Sequence, residues 1–478
     1  MRQLIWFRLD LRVQDHTALY YAMQQGPCIA LAVISPEQWR MHDDAPIKID
    51  FYLRQLLVLK QQLSELNIPL LIERIDLWSE IPQKLIALCQ KHQIKCVHAN
   101  IENGWNEQQR DLQVETHLVS SQITWQSYTD RTIFPLHSIR NKTDQPYQIF
   151  TPFKKNCYEQ LSISLPQPFP NVVAQDALNF EESILTEVPC IEELFDVEIS
   201  AMQRELWPVG ENYAQMLLEH FADERLQYYD QERDYPALDS SSKMSAYLNI
   251  GIISIRQCLA VLFREQHGYF FIQQKALQIW LDELLWREFY QHVMADFSRV
   301  SKSLPFKKQT QSVAWRTDEQ ALEAWKYGKT GIPIVDAGMR QMLETGWMHN
   351  RVRMICAMFL SKNLLIDWRE GEAWFMQHLI DGDLAANNGG WQWSASTGTD
   401  AVPYFRIFNP VSQSQKFDAN GDYIRRWIPE LAHLDHKQIH EPSVQVKPEY
   451  INYPRPIVDL KTSRQRAIDA FKLASAEA

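Results

Sequence analysis

The chain has 478 residues, more than one hydrophobic core supports, so its length predicts two domains. Its 45% hydrophobic and 22% charged residues are ordinary for a globular protein, and no apolar run is long enough to cross a bilayer. The formal net charge of -11 argues against general attraction to nucleic acid, so any DNA binding must be local. The N-terminus lacks the features of a secretory signal, and we expect a cytoplasmic protein.

Short β-rich runs alternate with helical stretches up to about residue 130. This alternation is typical of a doubly wound parallel sheet with crossover helices. The turn after the first run lacks the G-x-G-x-x-G fingerprint, so we do not expect a nicotinamide dinucleotide there. A different small molecule could still bind beyond the C-terminal strand ends. The predicted strands are residues 3–7, 28–34, 69–75, 95–100 and 123–129.

Strand signals vanish in the second half of the chain. Residues 131–205 are Pro-rich and then acidic, with little sustained periodicity, which is typical of a long connection between domains. The remainder has helical patterns with clear start signals, such as Ser254 followed by Gln257, a capping box. We therefore predict an α/β domain over 1–130, a connector over 131–205 and an all-α domain over 206–478.

The sequence gives little sign of a metal or redox site. The seven cysteines are odd in number and show no C-x-x-C pair, which favours buried free thiols. His433, His436 and His440 have a spacing that could chelate a metal, but no carboxylate or cysteine pattern completes it. We therefore expect no metal, and a solvated helix face at these histidines.

Ten of the 16 tryptophans lie between Trp280 and Trp427, several of them beside charged or amide residues in apolar helices. This combination suggests a polar cavity lined with aromatic rings, although core packing explains any one of them. On a helix, Glu283 and Trp286 share one face, and Asn350 shares a face with Met354. Four serines, Ser240, Ser241, Ser242 and Ser245, surround a helix start, where they could cap the helix or bind a phosphate.

Long motifs in the helical half resemble the photolyase and cryptochrome family. They are WLDELLWREFY, GKTGIPIVDAGMRQMLETGWMHNRVRM, LIDWREGE and DGDLAANNGGWQWSASTGTDAVPYFRIFNP. The opening WFRLDLR and the stretch YDQERDYPALDSSSKMSAYL extend the resemblance over the whole chain. Within the family, the sequence is most similar to bacterial class I photolyases of cyclobutane pyrimidine dimers.

The resemblance implies a bent flavin adenine dinucleotide (FAD) in the helical domain. Asn387 matches the residue that faces the reactive ring nitrogen at position five, where a neutral amide suits a ring that changes charge. Residues implied around the adenine, phosphate and ribityl parts are Tyr229, Ser241, Ser242, Ser245 and Arg287, with Asp381 and Asp383 at the ribityl chain and ring edge.

The resemblance also implies light-driven DNA repair. Excited reduced FAD would pass one electron to a flipped-out dimer, and the electron would return once the dimer has split into two pyrimidines. Trp391, Trp368 and Trp315 match a chain of rings that reduces the photoexcited flavin. At the lesion, Glu283 would donate a hydrogen bond and Arg351 would take a backbone phosphate. The other implied lesion contacts are Trp286, Asn350, Met354 and Trp393.

A second chromophore is implied in the N-terminal domain. His42, Asn106, Glu107 and Lys302 match positions that hold a 5,10-methenyltetrahydrofolate antenna in similar enzymes. This match rests on few residues, so 8-hydroxy-5-deazaflavin or no antenna remain alternatives. We expect a monomer whose partner is ultraviolet-damaged DNA.

Two other functions are compatible with the same family. A cryptochrome-type blue-light receptor would use the same flavin and tryptophans without repair, but Glu283, Trp286, Asn350 and Met354 are of the repair type. An enzyme for the six-four photoproduct would carry a second histidine after the first. This chain has Asn350 after His349, which favours the cyclobutane dimer.

Overall fold

The computed structural model describes residues 1–179, 187–447 and 450–476. The chain forms two compact units, Met1–Gln227 with Ser242–Ser298, and Tyr228–Ser241 with Arg299–Ala478. Part of the predicted connector, residues 180–186, lies outside the described residues. Within the described chain, no helix is both long enough and apolar enough to cross a membrane.

The first unit contains a five-stranded parallel sheet. Its strands are β1 (Arg2–Phe7), β2 (Cys28–Ile34), β3 (Leu70–Arg74), β4 (Ile94–Asn100) and β5 (Thr124–Tyr128). Their order across the sheet is β3-β2-β1-β4-β5, so the direction of winding reverses between β1 and β4. The predicted doubly wound sheet is confirmed, with each strand end within one residue of its prediction. Such a reversal opens a crevice beyond the C-terminal ends of the two strands.

The rest of the described chain is mostly helical, as predicted. The α-helices in chain order are α1 (Thr17–Gln25), α2 (Pro36–Met41), α3 (Pro46–Glu65), α4 (Ile81–Lys91), α5 (Trp105–Ser120), α6 (Phe150–Ile163), α7 (Ile191–Leu194), α8 (Ala201–Leu206), α9 (Glu211–His220), α10 (Tyr229–Glu232), α11 (Met244–Asn249), α12 (Ile255–Leu262), α13 (Lys275–Asp296), α14 (Glu319–Lys326), α15 (Pro333–Thr345), α16 (Asn350–Met358), α17 (Trp368–Met376), α18 (Leu384–Ala395), α19 (Pro410–Phe417), α20 (Asp422–Trp427), α21 (Pro442–Gln445) and α22 (Leu460–Ala476). Helix α12 begins with the predicted capping box of Ser254 and Gln257.

The core of the second unit is built around α15, α16, α17 and α18. Its buried residues include Trp325, Trp368 and Trp391. Helix α16 runs directly into a π-helical turn, Phe359–Leu364, which ends where Leu365 adopts a left-handed conformation with φ 55°. π-Helical turns often lie near functional sites, and this one precedes the helix that starts at Trp368.

Two details of the sequence interpretation are wrong. His433, His436 and His440 do not share a helix face, because His440 ends a short 3-10 turn and is buried. Its Nδ1 lies 2.6 Å from the Ser414 hydroxyl, so it is a packed core histidine. Six of the seven cysteines are buried free thiols as expected, but Cys190 is exposed.

Candidate functional site

In the first unit, α13 carries three of the predicted site residues on one half-buried stripe. Glu283, Trp286 and Arg287 lie at helical spacing and are each half-buried, whereas the intervening Leu284 and Leu285 are buried. The Trp286 ring stacks on Phe150, with ring centroids 3.7 Å apart and an interplanar angle of 13°. The stripe therefore presents a carboxyl group, an indole and a guanidinium side by side.

Hydrogen bonds to the loop that follows β5 fix the rotation of α13 about its own axis. The buried Glu288 carboxylate accepts from the backbone N–H groups of Ile133 and Phe134, at 2.9 and 3.0 Å. Arg287 Nη1 donates to the carbonyl oxygen of Arg131 at 2.8 Å. Because the side chains of Arg287 and Glu288 are both hydrogen-bonded to this loop, the fold sets the direction in which the stripe faces.

The predicted serine cluster is divided between the two units. Ser240 is buried and donates to the carbonyl oxygen of Glu232, and the half-buried Ser241 follows it, both in the second unit. In the first unit the Ser242 hydroxyl accepts from the Met244 N–H at 3.4 Å, and Ser245 is exposed on α11. Tyr229, in the second unit, begins α10 and is half-buried.

In the second unit, the start of α16 presents the predicted lesion residues. Asn350 is exposed at the first helical position, and Met354 lies one turn later. Arg351 Nη2 donates to Asp234 at 2.7 Å, its guanidinium lies 4.5 Å from the Phe417 ring centroid, and Nη1 lies 3.9 Å from the Met354 sulfur. The buried Arg351 Nε has no hydrogen-bond partner within the described part of the chain.

His349 caps α16 through its neutral side chain. Its Nδ1 accepts from the Arg351 N–H at 3.2 Å, which requires that this nitrogen carry no proton. Burial lowers the pKa of His349 to about 4, despite the opposing effect of the Asp234 carboxylate. The imidazole is therefore neutral at physiological pH, and the cap is intact.

Helix α18 and the residues before it form a second polar group. Buried Asp381 binds Arg353 Nη2 through both oxygens, at 3.0 and 2.9 Å. Asp383 caps α18 by accepting from the Ala386 N–H at 2.9 Å. Asn387 Nδ2 donates to the carbonyl oxygen of Glu372 at 3.0 Å. The amide oxygen of Asn387, which can accept a hydrogen bond, therefore points away from that carbonyl.

The next amides along α18 tether it to the segment before α14. Asn388 Nδ2 donates to the buried Glu372 carboxylate at 2.7 Å, and Gln392 Nε2 donates to the Asn388 side-chain oxygen at 2.9 Å. Gln392 also accepts from the Phe306 N–H at 2.8 Å. These buried polar contacts hold the helix in one orientation and so fix the position of Asn387.

The three predicted relay tryptophans belong to one hydrophobic cluster in the second unit. Trp391 and Trp368 are 2% and 1% exposed, and Trp315 is partly buried at the margin of the cluster. A Cβ at Gly371 would overlap the Trp391 ring, so the close approach of α17 to this indole requires glycine. Arg369 lies 4.8 Å from the Trp368 ring centroid, but Asp367 binds its guanidinium and offsets its charge.

Three of the predicted antenna residues lie near the strand ends of the first unit. His42 Nε2 is 3.0 Å from Asn106 Nδ2, and the His42 ring meets Trp78 edge-on at 4.7 Å. Burial raises the pKa of Glu107, and the nearby Glu102 carboxylate adds to this effect. Lys302, the fourth antenna residue, lies in the second unit and is exposed at the end of a 3-10 turn.

The crevice between the ends of β1 and β4 is strongly charged. Burial acts to raise the pKa of Glu102, but Arg8 and Arg110 outweigh it and lower that pKa to about 2. Arg110 also lies 4.5 Å from the Trp78 ring centroid. Charged and aromatic side chains thus lie together beyond the strand ends, where ligands of such sheets commonly bind.

The groups on α18 fit a hydrogen-bonding cofactor such as a flavin. The Trp391 indole N–H is buried and lacks a hydrogen-bond partner among the described residues. An unpaired buried donor is costly unless a ligand or water satisfies it. Together with the amide oxygen of Asn387, whose Nδ2 is held by the Glu372 carbonyl, it gives one donor and one acceptor on neighbouring turns of α18.

Several residues that build the site were not predicted from the sequence. Arg353 and Glu372 lie inside the family motifs, in HNRVRM and LIDWREGE, but their partners are visible only in the fold. Asp234 also lies inside a family motif, YDQERDYPALDSSSKMSAYL, whereas Phe150 lies outside the quoted motifs. A sequence signal for Phe150 did exist. The helical spacing of Phe150, Phe153, Cys157 and Leu161 indicates a helix with one buried face.

Comparison with known proteins agrees with this geometry. The model of the family "DNA photolyase" matches residues 3–173, and that of the "FAD binding domain of DNA photolyase" matches residues 280–473. A curated Deoxyribodipyrimidine photo-lyase from Vibrio cholerae is 42% identical over 474 residues, covering 99% of each chain.

Solved structures of photolyases and a cryptochrome share the fold. A class III photolyase from Agrobacterium tumefaciens superimposes with a TM-score of 0.85 at 30% identity, covering 99% of this chain and 98% of that one. A cryptochrome from Synechocystis sp. PCC6803 gives a TM-score of 0.86 at 28% identity, covering 98% and 99%.

The parallel sheet, the helical unit and the match to the FAD-binding domain of photolyases define the class of this protein. It is a flavoprotein that senses or uses light. The chain belongs to the DNA photolyase family, with full-length similarity to bacterial relatives. It is a photo-lyase, a FAD-binding enzyme of DNA repair.

Proposed function

We propose that this enzyme uses light to split cyclobutane pyrimidine dimers in DNA. The observation that carries the proposal is the arrangement on α18, where the Glu372 carbonyl orients the Asn387 amide and the buried Trp391 lies one turn later. One rigid helix thereby offers a neutral hydrogen-bond acceptor and an oxidisable ring, the two features that a photoactive flavin requires.

The residues assigned to FAD are those implied by the family motifs. These residues would hold FAD, which in its reduced and light-excited form would supply the electron that splits the dimer and would take that electron back afterwards. Asn387 stays neutral throughout, and Arg353 offsets the charge of Asp381. The full set is Tyr229, Ser241, Ser242, Ser245, Arg287, Asp381, Asp383 and Asn387.

The lesion residues bind a dimer that has been flipped out of the duplex. As is general for photolyases, a damaged pair costs less to unstack than a normal pair, and an aromatic wall repays the remainder. Trp286 and Trp393 supply the walls, Asn350 a hydrogen bond and Met354 an adaptable apolar contact. Glu283 donates a hydrogen bond to a pyrimidine carbonyl as negative charge arrives there.

Arg351 is assigned to a DNA phosphate next to the dimer. Its side chain is 16% exposed, which supports this assignment, because the accessible part of the guanidinium can add a phosphate oxygen to its existing contacts. Asp234 and the Phe417 ring hold the guanidinium in place before DNA arrives.

Trp391, Trp368 and Trp315 are assigned to photoreduction of the flavin. Their exposure supports a path from the buried ring to the margin of the core, where a reductant in solution can reach Trp315. The path restores the reduced flavin and has no part in splitting the dimer.

A folate antenna, 5,10-methenyltetrahydrofolate, is the proposed second chromophore, with His42, Asn106, Glu107 and Lys302 as its contacts. The charged crevice at the winding reversal of the sheet supports a ligand in the first unit. We also propose that the enzyme acts as a cytoplasmic monomer.

The substrate is tested by presenting each lesion separately. The anaerobically reduced protein is mixed with an oligonucleotide that carries one thymine cyclobutane dimer or one six-four photoproduct, and the recovery of ultraviolet absorbance is followed in light and in darkness. We expect recovery with the cyclobutane dimer in light alone. Recovery with the six-four lesion, or none while a photoreducible flavin is bound, would reject the proposal.

A further inference from the structure

Trp286 is enclosed by aromatic rings on α6 and α13. Phe150 lies flat against it at 3.7 Å, while Phe289 and Tyr290 approach at 5.8 and 5.6 Å, at angles of 78° and 34°. The indole is nevertheless half-buried, so part of its surface is accessible. Phe150 covers one face of the indole, so a pyrimidine that stacks on Trp286 would have to use the opposite face.

Phe150 is itself held firmly. It is the first residue of α6, and it is 6% exposed. Further along α6, Lys154 Nζ and the Tyr158 hydroxyl bind the Asp282 carboxylate at 2.9 and 2.6 Å. Since Asp282 is one turn before Trp286, α6 clamps the same stretch of α13 on which the indole stands.

We propose that Phe150 is a positioning residue for the lesion, acting through Trp286; this inference rests on the proposed role of Trp286. By stacking on one face, Phe150 fixes the plane of the indole before DNA binds. A side chain that is already ordered loses little conformational freedom when a pyrimidine stacks on it. Phe150 also restricts stacking to a single face of the indole.

The test is a double-mutant cycle on dark binding of dimer-containing DNA by the reduced holoenzyme. Kd is measured for the natural protein, Phe150→Ala, Trp286→Ala and the double variant, with an undamaged oligonucleotide as reference. We expect Phe150→Ala to weaken lesion binding about three- to tenfold and to have no further effect once Trp286 is absent. Binding of undamaged DNA should not change.

The outcomes separate the two hypotheses. If Trp286→Ala leaves lesion affinity unchanged, the proposed lesion role of Trp286 is wrong. If Trp286→Ala weakens binding but the two effects multiply in the double variant, or Phe150→Ala has no effect, Phe150 does not act through Trp286 and this inference alone fails.

Conservative variants guard against a general loss of structure. Phe150→Tyr keeps the stacked ring and should bind the lesion like the natural protein, whereas Phe150→Leu fills the space without a flat face and should bind more weakly. Phe153→Leu is the matched control, because Phe153 is on α6 but packs on Phe289 and His292 instead. Equal weakening by Phe150→Leu and Phe153→Leu would overturn the inference.

Discussion

At the scale of single residues, the candidate site consists of side chains that neighbouring residues already hold in place before a ligand binds. Asn387 is oriented by a carbonyl, Arg351 by a carboxylate and a ring, and Trp286 by Phe150. The sequence singled out these side chains as candidates because they lie in long family motifs. It could not identify Phe150 or Asp234 as their partners, because both are more than 100 residues away along the chain.

Glu283→Gln tests the role of the acid at the lesion. Glutamine keeps the shape and can still donate a hydrogen bond, but it is a weaker donor to a carbonyl that is gaining negative charge. We expect Kd for the dimer to be nearly unchanged and the number of dimers split per absorbed photon to fall about two- to tenfold. Full yield in this variant would refute a special role for the acid.

Arg351→Gln tests the phosphate contact through its salt dependence. Loss of one phosphate contact should weaken binding and reduce the slope of log affinity against log salt by about one. The control, Arg464→Gln, removes the same charge from an exposed position on α22 and should leave the slope unchanged. Equal slopes for the natural protein and Arg351→Gln would exclude the contact.

At the scale of elements, periodicity predicted most of the fold. The five strands and the capping box of α12 were found from local pattern, because these signals depend on neighbouring residues alone. Helix α6 was missed because the prolines that follow it suggested a connector, although its buried residues have helical spacing. The histidines at 433, 436 and 440 have helical spacing without a helix, so spacing alone misled there.

The neutral cap of α16 gives a pH dependence. Because the pKa of His349 falls from 6.5 to about 4 on folding, the unfolded chain binds more protons between these values, and stability is lost as the pH falls through this range. The loss should be roughly 2 kcal/mol between about pH 7 and about pH 5.

Two substitutions separate titration from capping at His349. His349→Asn keeps a side-chain acceptor for the Arg351 N–H but does not titrate, so its stability should depend less on pH. His349→Ala loses both the cap and the titrating group, so it should cost about 1 kcal/mol near pH 7, and its stability should depend on pH as little as that of His349→Asn. Thermal unfolding midpoints across the range provide the measurement, and an unchanged pH dependence in His349→Asn would contradict the account.

At the scale of the whole molecule, the candidate residues that the sequence assigned to one helical domain fall in two compact units. The stripe of α13 lies in the first unit with the sheet, and α16 and α18 lie in the second. Composition could not show this division, because both stretches are helical and rich in tryptophan. The net charge of -11 is consistent with lesion-directed recognition by a few residues such as Arg351.

Trp391→Phe should separate the two light-driven activities of the molecule. Phenylalanine keeps most of the packing against Gly371 but does not oxidise readily, so photoreduction of oxidised flavin should be lost. Repair by protein that was reduced chemically beforehand should persist. Loss of both activities with flavin still bound would show that Trp391 serves packing and not electron transfer.

The central claim is that light drives repair without net redox change. The most direct measurement illuminates anaerobically reduced protein with a large excess of dimer-containing DNA, and records dimers split together with the flavin absorption spectrum. We predict many dimers split per flavin while the spectrum of the reduced flavin stays unchanged. Oxidation of one flavin for each dimer split, or equal splitting in darkness, would contradict the account.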